Sequence, residues 1–192
     1  RIDIKYMSTH EFAFDEAPKA FDLVVNKTEP FIGIALKYDT NKSHSKSKIV
    51  FKNNQGIPTS KVNVSFIGAG SYAQGNLLPN IPESSHVSKI GVLTNTGTTS
   101  KRVAQKFKFN FCATLEEDVL DKKTNTVFVA TRHDSHGAYV LKALEKNKHV
   151  FVEKPLCLKE SELETIIDAQ QQSQTAVMIG FNRRFSPLTK KI

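Results

Sequence analysis

Two short stretches of this chain carry residue types in an order that chemistry can use. The first is Gly68-Ala69-Gly70-Ser71-Tyr72-Ala73, which follows a β-branched and aromatic run of Val62, Val64, Phe66 and Ile67. A glycine at a strand exit permits a sharp turn, a second lets an anion come close to the backbone, and a small third residue keeps the next helix near the sheet. The helix expected from about Ser71 to Asn80, ended by Pro79 and Pro82, points unpaired N–H groups and the positive end of its dipole at that turn. A pyrophosphate is the ligand such a turn suits, although the same spacing also occurs in tight turns without one. The second stretch is Glu153-Lys154-Pro155, at the end of the apolar run from His149 to Val152. Pro155 fixes the strand exit and holds the residue before it extended, so that Lys154 projects at a defined angle. An ammonium there can hydrogen-bond a substrate hydroxyl and stabilise charge on its oxygen; the plainer reading is a lysine that pairs with Glu153 or with solvent.

Two further clusters belong with these. The apolar run Thr126 to Ala130 ends in Thr131-Arg132-His133-Asp134-Ser135-His136. If the strands are parallel, this polar cluster gathers at the carboxyl edge, where a nicotinamide would lie. His133, Asp134 and His136 crowd one short loop, an arrangement poorly suited to tetrahedral coordination, and no metal is expected; His136 also reads simply as the start of a helix. The run Val87 to Leu93 ends in Thr94-Asn95-Thr96, where a dinucleotide fold commonly places an acid that bonds the ribose. Without that carboxylate a 2′-phosphate is not repelled. Thr94, Asn95 and Thr96 can bond either sugar, and Lys101 or Arg102 can pair with a phosphate or be a solvated helix face. The cofactor is NADP or NAD, and the reading leans to NADP.

The elements that must position these residues alternate from Lys61 onward. Strands are expected at Val62 to Ile67, Val87 to Leu93, Phe111 to Ala113, Thr126 to Ala130, His149 to Val152 and Ala176 to Phe181. Helices are expected at Thr99 to Phe107, His136 to Lys146 and Ser161 to Gln172, with Thr114 and Glu117 as a capping box after the third strand. Near-continuous apolar strands between helices imply a parallel sheet covered on both faces, and hence a doubly wound, Rossmann-type α/β fold. The domain is placed at residues 61–182, with residues 183–192 opening a second, truncated domain.

Residues 1–38 read as one amphipathic helix, with Ala17, Ala20, Phe21 and Val24 on one face, between two short strands. Such a piece cannot bury its own apolar faces and needs a partner. Residues 39–60 read as a basic linker, because the stretch from Thr40 to Lys61 holds five lysines and no acid, which accounts for five of the net charge of +8. A single phenylalanine, Phe51, is interleaved among these lysines, too little to stack successive bases, so a nucleic-acid partner is not expected. With 39% hydrophobic residues and 13 phenylalanines among 192 residues the chain can build a core. No apolar run approaches a membrane span and no signal-type segment opens the chain, which makes the cytoplasm the default location. Cys112 and Cys157 lack metal-type spacing and read as reduced thiols in apolar surroundings. The chain begins at Arg1 and stops just after a new segment opens, as a piece of a longer protein would.

The motifs Gly68-Ala-Gly-x-x-Ala73, Ala130-Thr131 with His136, Lys148 to Pro155, and Gly180-Phe-Asn-Arg-Arg-Phe185 together resemble the glucose-fructose oxidoreductase / inositol dehydrogenase (Gfo/Idh/MocA) family over residues 61–192. The resemblance implies hydride transfer between NAD(P) and a hydroxyl-bearing carbon of a sugar, polyol or sugar nucleotide. It implies that Lys154 meets both nicotinamide and substrate, that Glu153 helps hold the cofactor, that Thr131 and His136 line the crevice, and that Arg184 matches the arginine after the sixth strand. Two departures from the family are Arg132, where a proline is usual, and Thr94, where an acid is common. The family's second domain supplies most of the substrate pocket, so this chain is expected to bind dinucleotide without turning substrate over. A homo-oligomer is compatible with the family. Ser8 to Ala17, Ala20-Phe21 and the strand to Tyr38 resemble the closing segment of a zinc-type alcohol dehydrogenase, and the two together resemble bi-domain oxidoreductases; an arbitrary N-terminal extension is the alternative. The rival functions are a non-catalytic nucleotide-sensing or interaction module, and a methyltransferase that holds S-adenosylmethionine on the glycine loop.

Overall fold

The computed structural model describes residues 5–40, 47–51 and 62–191. The chain divides into two units, Arg1–Ser45 and Lys46–Ile192. In the first, β1 (His10–Ala13) and β2 (Ile34–Lys37) pair in parallel, joined by α1 (Ala17–Asn26). Two strands offer only a narrow strip for a helix to cover, and α1 uses it for Ala20 and Leu23, each 4% exposed. The expected Phe21 and Val24 face is therefore not the buried one, since both remain exposed. Phe14 stacks on Tyr38 with ring centroids 4.7 Å apart.

The second unit is one sheet of seven strands. In chain order these are β3 (Lys48–Val50), β4 (Val62–Ile67), β5 (Val87–Leu93), β6 (Phe111–Ala113), β7 (Thr126–Val129), β8 (His149–Val152) and β9 (Val177–Ile179). They lie in the order β3-β6-β5-β4-β7-β8-β9. All neighbours are parallel except β3, which runs antiparallel to β6. From β6 to β9 this is the doubly wound order in which the chain reverses direction across the sheet at its first parallel strand, here β4. The helices α2 (Gly97–Phe107), α3 (Glu116–Val119), α4 (His136–Glu145) and α5 (Glu160–Gln172) complete the crossovers.

Part of the stretch read as a solvated linker belongs to the sheet. Ile49 and Val50 give residues 48–50 a strand's composition, and β3 covers the edge that β6 would otherwise expose. Lys48 is also not merely solvated: its ammonium lies 3.6 Å from the Phe111 ring centroid and 3.5 Å from Asp121 Oδ2. The rest of that basic stretch, residues 41–46 and 52–61, lies outside the described residues.

Two apolar layers sandwich the sheet. One packs Ile67, Leu93, Val129, Val140, Leu144, Val152 and Ile166 between the sheet and α3, α4 and α5. The other packs Val64, Phe66, Leu78, Val92, Val103 and Phe109. In that second layer Phe66, Phe128 and Phe151 sit at matched register on β4, β7 and β8, stacking at 4.7 and 4.8 Å. At the amino edge the sheet is pinned by buried polar groups. Ser65 Oγ lies 2.7 Å from Thr124 Oγ1 and accepts from the Gly91 N–H at the bulge between Val64 and Ser65. The Lys148 ammonium donates to the carbonyls of Thr124 and Asp121 at 2.7 and 2.9 Å, and its burial holds it below the usual lysine range.

Cys112 and Cys157 are free thiols, the first buried and the second partly so. Burial pushes the Cys112 thiol above the usual thiol value because the thiolate is the form disfavoured in the core. A raised folded value means that the thiol's contribution to stability is complete below its unfolded value and is lost as pH rises through the folded one. Urea denaturation across that alkaline window should therefore show a shallower loss of stability in Cys112→Ala than in the parent chain. Equal slopes would remove Cys112 as the cause.

Candidate functional site

At the carboxyl edge the backbone ladder continues one step past each strand, and this aligns the functional loops. Gly68 N–H donates to the Leu93 carbonyl at 2.8 Å, Ala130 N–H to Ile67 at 2.8 Å, Glu153 N–H to Val129 at 3.0 Å and Gly180 N–H to Val152 at 2.8 Å. The exits of β5, β4, β7, β8 and β9 thus stand side by side. Between those of β6, β5, β4 and β7 lies a cavity of about 910 Å³, on the scale of pockets that take drug-sized ligands.

The two glycines of the loop differ in what they need. Gly68 has φ +84°, and a Cβ there would lie 2.4 Å from the Ala130 carbonyl oxygen. A Cβ at Gly70 would meet nothing within 4 Å, so the missing side chain leaves open space beside the backbone. Gly68, Ala69 and Gly70 line the cavity. Ala73 is buried beneath them in the core, while Ser71 and Tyr72 are exposed and outside the lining. The Tyr72 hydroxyl accepts from Asn182 Nδ2 at 3.1 Å. The helix expected to follow is one turn that passes into a π-type segment, Ala73–Leu77, and a 3₁₀ turn, Leu78–Asn80. Pro79 explains part of this, since it lacks the N–H that an α-helical ladder would donate to Gly75.

At the exit of β5, Thr94, Asn95 and Thr96 all line the cavity, but two of the three hydroxyl or amide groups are already engaged. Thr94 Oγ1 donates to the Thr96 carbonyl at 3.1 Å and lies 3.1 Å from Ser100 Oγ. Thr96 Oγ1 caps α2, accepting from the Thr99 N–H at 3.2 Å. Asn95 is exposed, and its amide takes part in none of these bonds. Lys101 and Arg102 are exposed on α2 and do not line the cavity.

The opposite wall holds two residues that the sequence reading did not assign to the site. Glu116 and Glu117, in the first turn of α3, both line the cavity. Glu116 is ion-paired with Lys142. The signal was available in the topology, because the strand before them is the neighbour of β5. The capping box expected at Thr114 and Glu117 does not form: α3 begins after Leu115 without a side-chain cap, and the Thr114 hydroxyl donates instead to the Ser47 carbonyl beside β3.

After β7, Thr131 and Arg132 line the cavity together with Asp134, Ser135 and Tyr139. Arg132 has φ −76°, a value that a proline also adopts, so the arginine leaves the backbone of this loop as a proline would shape it. Ser135 Oγ lies 2.8 Å from Thr131 Oγ1 and 2.9 Å from the Arg132 carbonyl, which closes the loop on itself. His136 does not line the crevice. It is 0% exposed, with Nδ1 2.6 Å from the Pro155 carbonyl oxygen and Nε2 3.3 Å from the Thr131 carbonyl oxygen. Among the described residues, no group of three or more His, Cys, Asp or Glu is placed to hold a metal.

Glu153, Lys154 and Arg184 stand outside the cavity lining. The Glu153 carboxylate lies where a side chain at residue 180 would begin, 2.9 Å from that position. Lys154 is exposed beyond β8, its bond to Pro155 is cis, and among the described residues it makes no ion pair. Arg184 is exposed, its guanidinium 4.9 Å from the Phe185 ring centroid. Among the described residues no helix is long and apolar enough to cross a membrane.

The family described as GFO_IDH_MocA, "Oxidoreductase family, NAD-binding Rossmann fold", matches residues 62–181. YteT of Bacillus subtilis (strain 168), named as an oxidoreductase, is 30% identical over 138 residues, covering 68% of this chain and 32% of YteT. Myo-inositol 2-dehydrogenase of Thermotoga maritima is 32% identical over 76 residues, 40% of this chain and 23% of the enzyme. Among solved structures, the 3-ketoreductase KijD10 of Actinomadura kijaniata, in complex with NADP and TDP-benzene, superposes with a TM-score of 0.64 at 20% identity over 69% of this chain and 41% of its own. The chain thus spans well under half the length of the relatives it matches.

Proposed function

Because the chain belongs to the Gfo/Idh/MocA oxidoreductase family, whose Rossmann fold binds NAD, we propose that the cavity at the carboxyl edge holds NAD(P) and that the whole protein transfers a hydride between this cofactor and a hydroxyl-bearing carbon of a sugar, polyol or sugar nucleotide. The observation that carries this reading is the loop at residues 68–70, where a strained glycine makes the turn and a second leaves room at the backbone. The pyrophosphate lies along Gly68, Ala69 and Gly70, with Ser71 and Tyr72 flanking it and Ala73 supporting it from the core. The adenosine ribose lies at Thr94 and Asn95, and the nicotinamide toward Thr131 and Arg132. When bound, the nicotinamide ring supplies the site that accepts or donates hydride.

Lys154 is the residue assigned to the reacting end. An ammonium on a strand exit beside the nicotinamide side can donate to the substrate hydroxyl and steady its oxygen as charge develops there. Glu153 holds the cofactor side of that strand exit, and Arg184 closes the far end. The sugar or polyol class is supported by the likeness to myo-inositol 2-dehydrogenase. The family resemblance supports reading residues 61–182 as the cofactor domain and 183–192 as the start of the next. For residues 1–38, the βαβ connection of β1, α1 and β2 together with the Ser8 to Ala17 motif supports the return segment of a zinc-type dehydrogenase.

Calorimetric titration of the chain with NADH and NADPH tests the reading, and saturable binding of at least one is expected. A 2′-phosphate meets Asn95 and no carboxylate at the end of β5, which keeps NADP open beside NAD. Asn95→Asp places a negative charge there and should weaken NADPH by roughly tenfold or more while sparing NADH. Saturable binding of S-adenosylmethionine with none of either dinucleotide would overturn the proposal.

A further inference from the structure

His136 joins two loops that leave neighbouring strands. Its ring is fully buried at the start of α4, between the Pro155 carbonyl beyond β8 at 2.6 Å and the Thr131 carbonyl beyond β7 at 3.3 Å. Both partners are acceptors, so the ring must donate. A neutral imidazole carries one N–H, and the shorter contact assigns it: Nδ1–H donates to Pro155, while the link to the Thr131 loop is the chain itself, His136 standing five residues beyond Thr131. An apolar residue of similar volume would fill the space but leave that carbonyl without a donor. A second tie holds the same segment from α5, where Glu162 Oε2 accepts the Leu158 N–H at 3.1 Å.

Lys154 has no ion pair of its own among the described residues, so its position is set by the backbone it stands on. We propose that His136 is a positioning residue for the nicotinamide half of the site, fixing the Lys154–Pro155 segment relative to the Thr131 loop so that both face one ring. The inference rests on the reading that the cavity binds NAD(P). The adenosine half is held by different elements, the glycine loop after β4 and the exit of β5, and His136 bonds to neither.

That division supplies the test. ADP-ribose carries the pyrophosphate and both riboses but no nicotinamide, so the ratio of its dissociation constant to that of NADH or NADPH, whichever binds tighter, isolates the nicotinamide end. In the parent chain the dinucleotide should bind more tightly than ADP-ribose (its 2′-phosphorylated form if NADPH is used). His136→Ala should weaken the dinucleotide by about tenfold, the size expected for loss of a buried hydrogen bond, and leave ADP-ribose within about twofold. His136→Asn, whose amide nitrogen stands near the place of Nδ1, should restore most of the loss, whereas His136→Gln, whose amide reaches toward Nε2, should not.

Equal weakening of both ligands by His136→Ala, or equal behaviour of the Asn and Gln variants, would show a purely structural role and overturn the inference. So would a parent chain that binds both ligands equally. If His136→Ala does not fold, the Asn and Gln pair decides alone. A parent chain that binds neither ligand refutes the dinucleotide reading itself, which separates that failure from the failure of the His136 role.

Discussion

Replacing Gly70 with valine is expected to leave the chain folded and to remove its dinucleotide binding. Nothing lies within 4 Å of where the new Cβ would stand, and Gly70 is not among the residues with positive φ. A substitution into open space on an exposed loop typically changes stability by no more than about 0.5 kcal/mol. The new side chain instead occupies the space through which a pyrophosphate must approach the backbone. Loss of two charge-assisted contacts, at about 1.5 kcal/mol each, weakens binding by roughly a hundredfold or more. Calorimetry against the better of NADH and NADPH, with a melting curve as control, checks both halves. Unchanged affinity would mean that the pyrophosphate does not pass this loop.

Gly68→Ala, two residues earlier, should do the opposite and unfold before it fails to bind. An L-residue at φ +84° costs about 1–2 kcal/mol from conformation alone. The added Cβ also falls 2.4 Å from the Ala130 carbonyl oxygen, in a segment whose own N–H is bonded to Ile67. Backbone there cannot shift without pulling on the β4–β7 ladder. Together these place the loss at about 3–5 kcal/mol, in the range of strained or overpacked positions, and the melting temperature lower by roughly 10 °C or more. Thermal and urea denaturation measure it. A melting point within a degree or two of the parent would be incompatible with the turn described.

The contrast between these two glycines was only half legible in the sequence. Spacing identifies both as parts of one loop, and the βα alternation after Lys61 identifies the doubly wound sheet and the edge on which its loops gather, because those signals are local and periodic. What spacing does not carry is which hydroxyls are already engaged. Thr94 and Thr96 look available beside Asn95 until the cap of α2 is seen to hold Thr96 and the turn to hold Thr94. His136 looks like a crevice residue because it closes the polar run that follows a strand; its ring is turned inward, where it donates to the Pro155 carbonyl, a partner distant in sequence. The edge strand β3 was hidden for a different reason. Three residues flanked by lysines and serines have too short a pattern to stand out, and only the vacant edge of β6 gives them a partner. Glu116 and Glu117 required the strand order, since nothing local links them to the loop after β5.

The central strand β4 differs along its length. Its middle is pinned by Ser65 through Thr124 and Lys148 in a set of buried hydrogen bonds, while its carboxyl end opens into a glycine turn with free space at Gly70. Sequence drift is therefore constrained by folding at the pinned middle and at Gly68, and by ligand at Gly70. Descendants of such a scaffold can exchange residues at positions such as 70, 95 and 132 and acquire a different ligand preference without rebuilding the sheet, so variation at those positions records changes of chemistry, whereas variation at Gly68 and in the buried polar set records changes of stability.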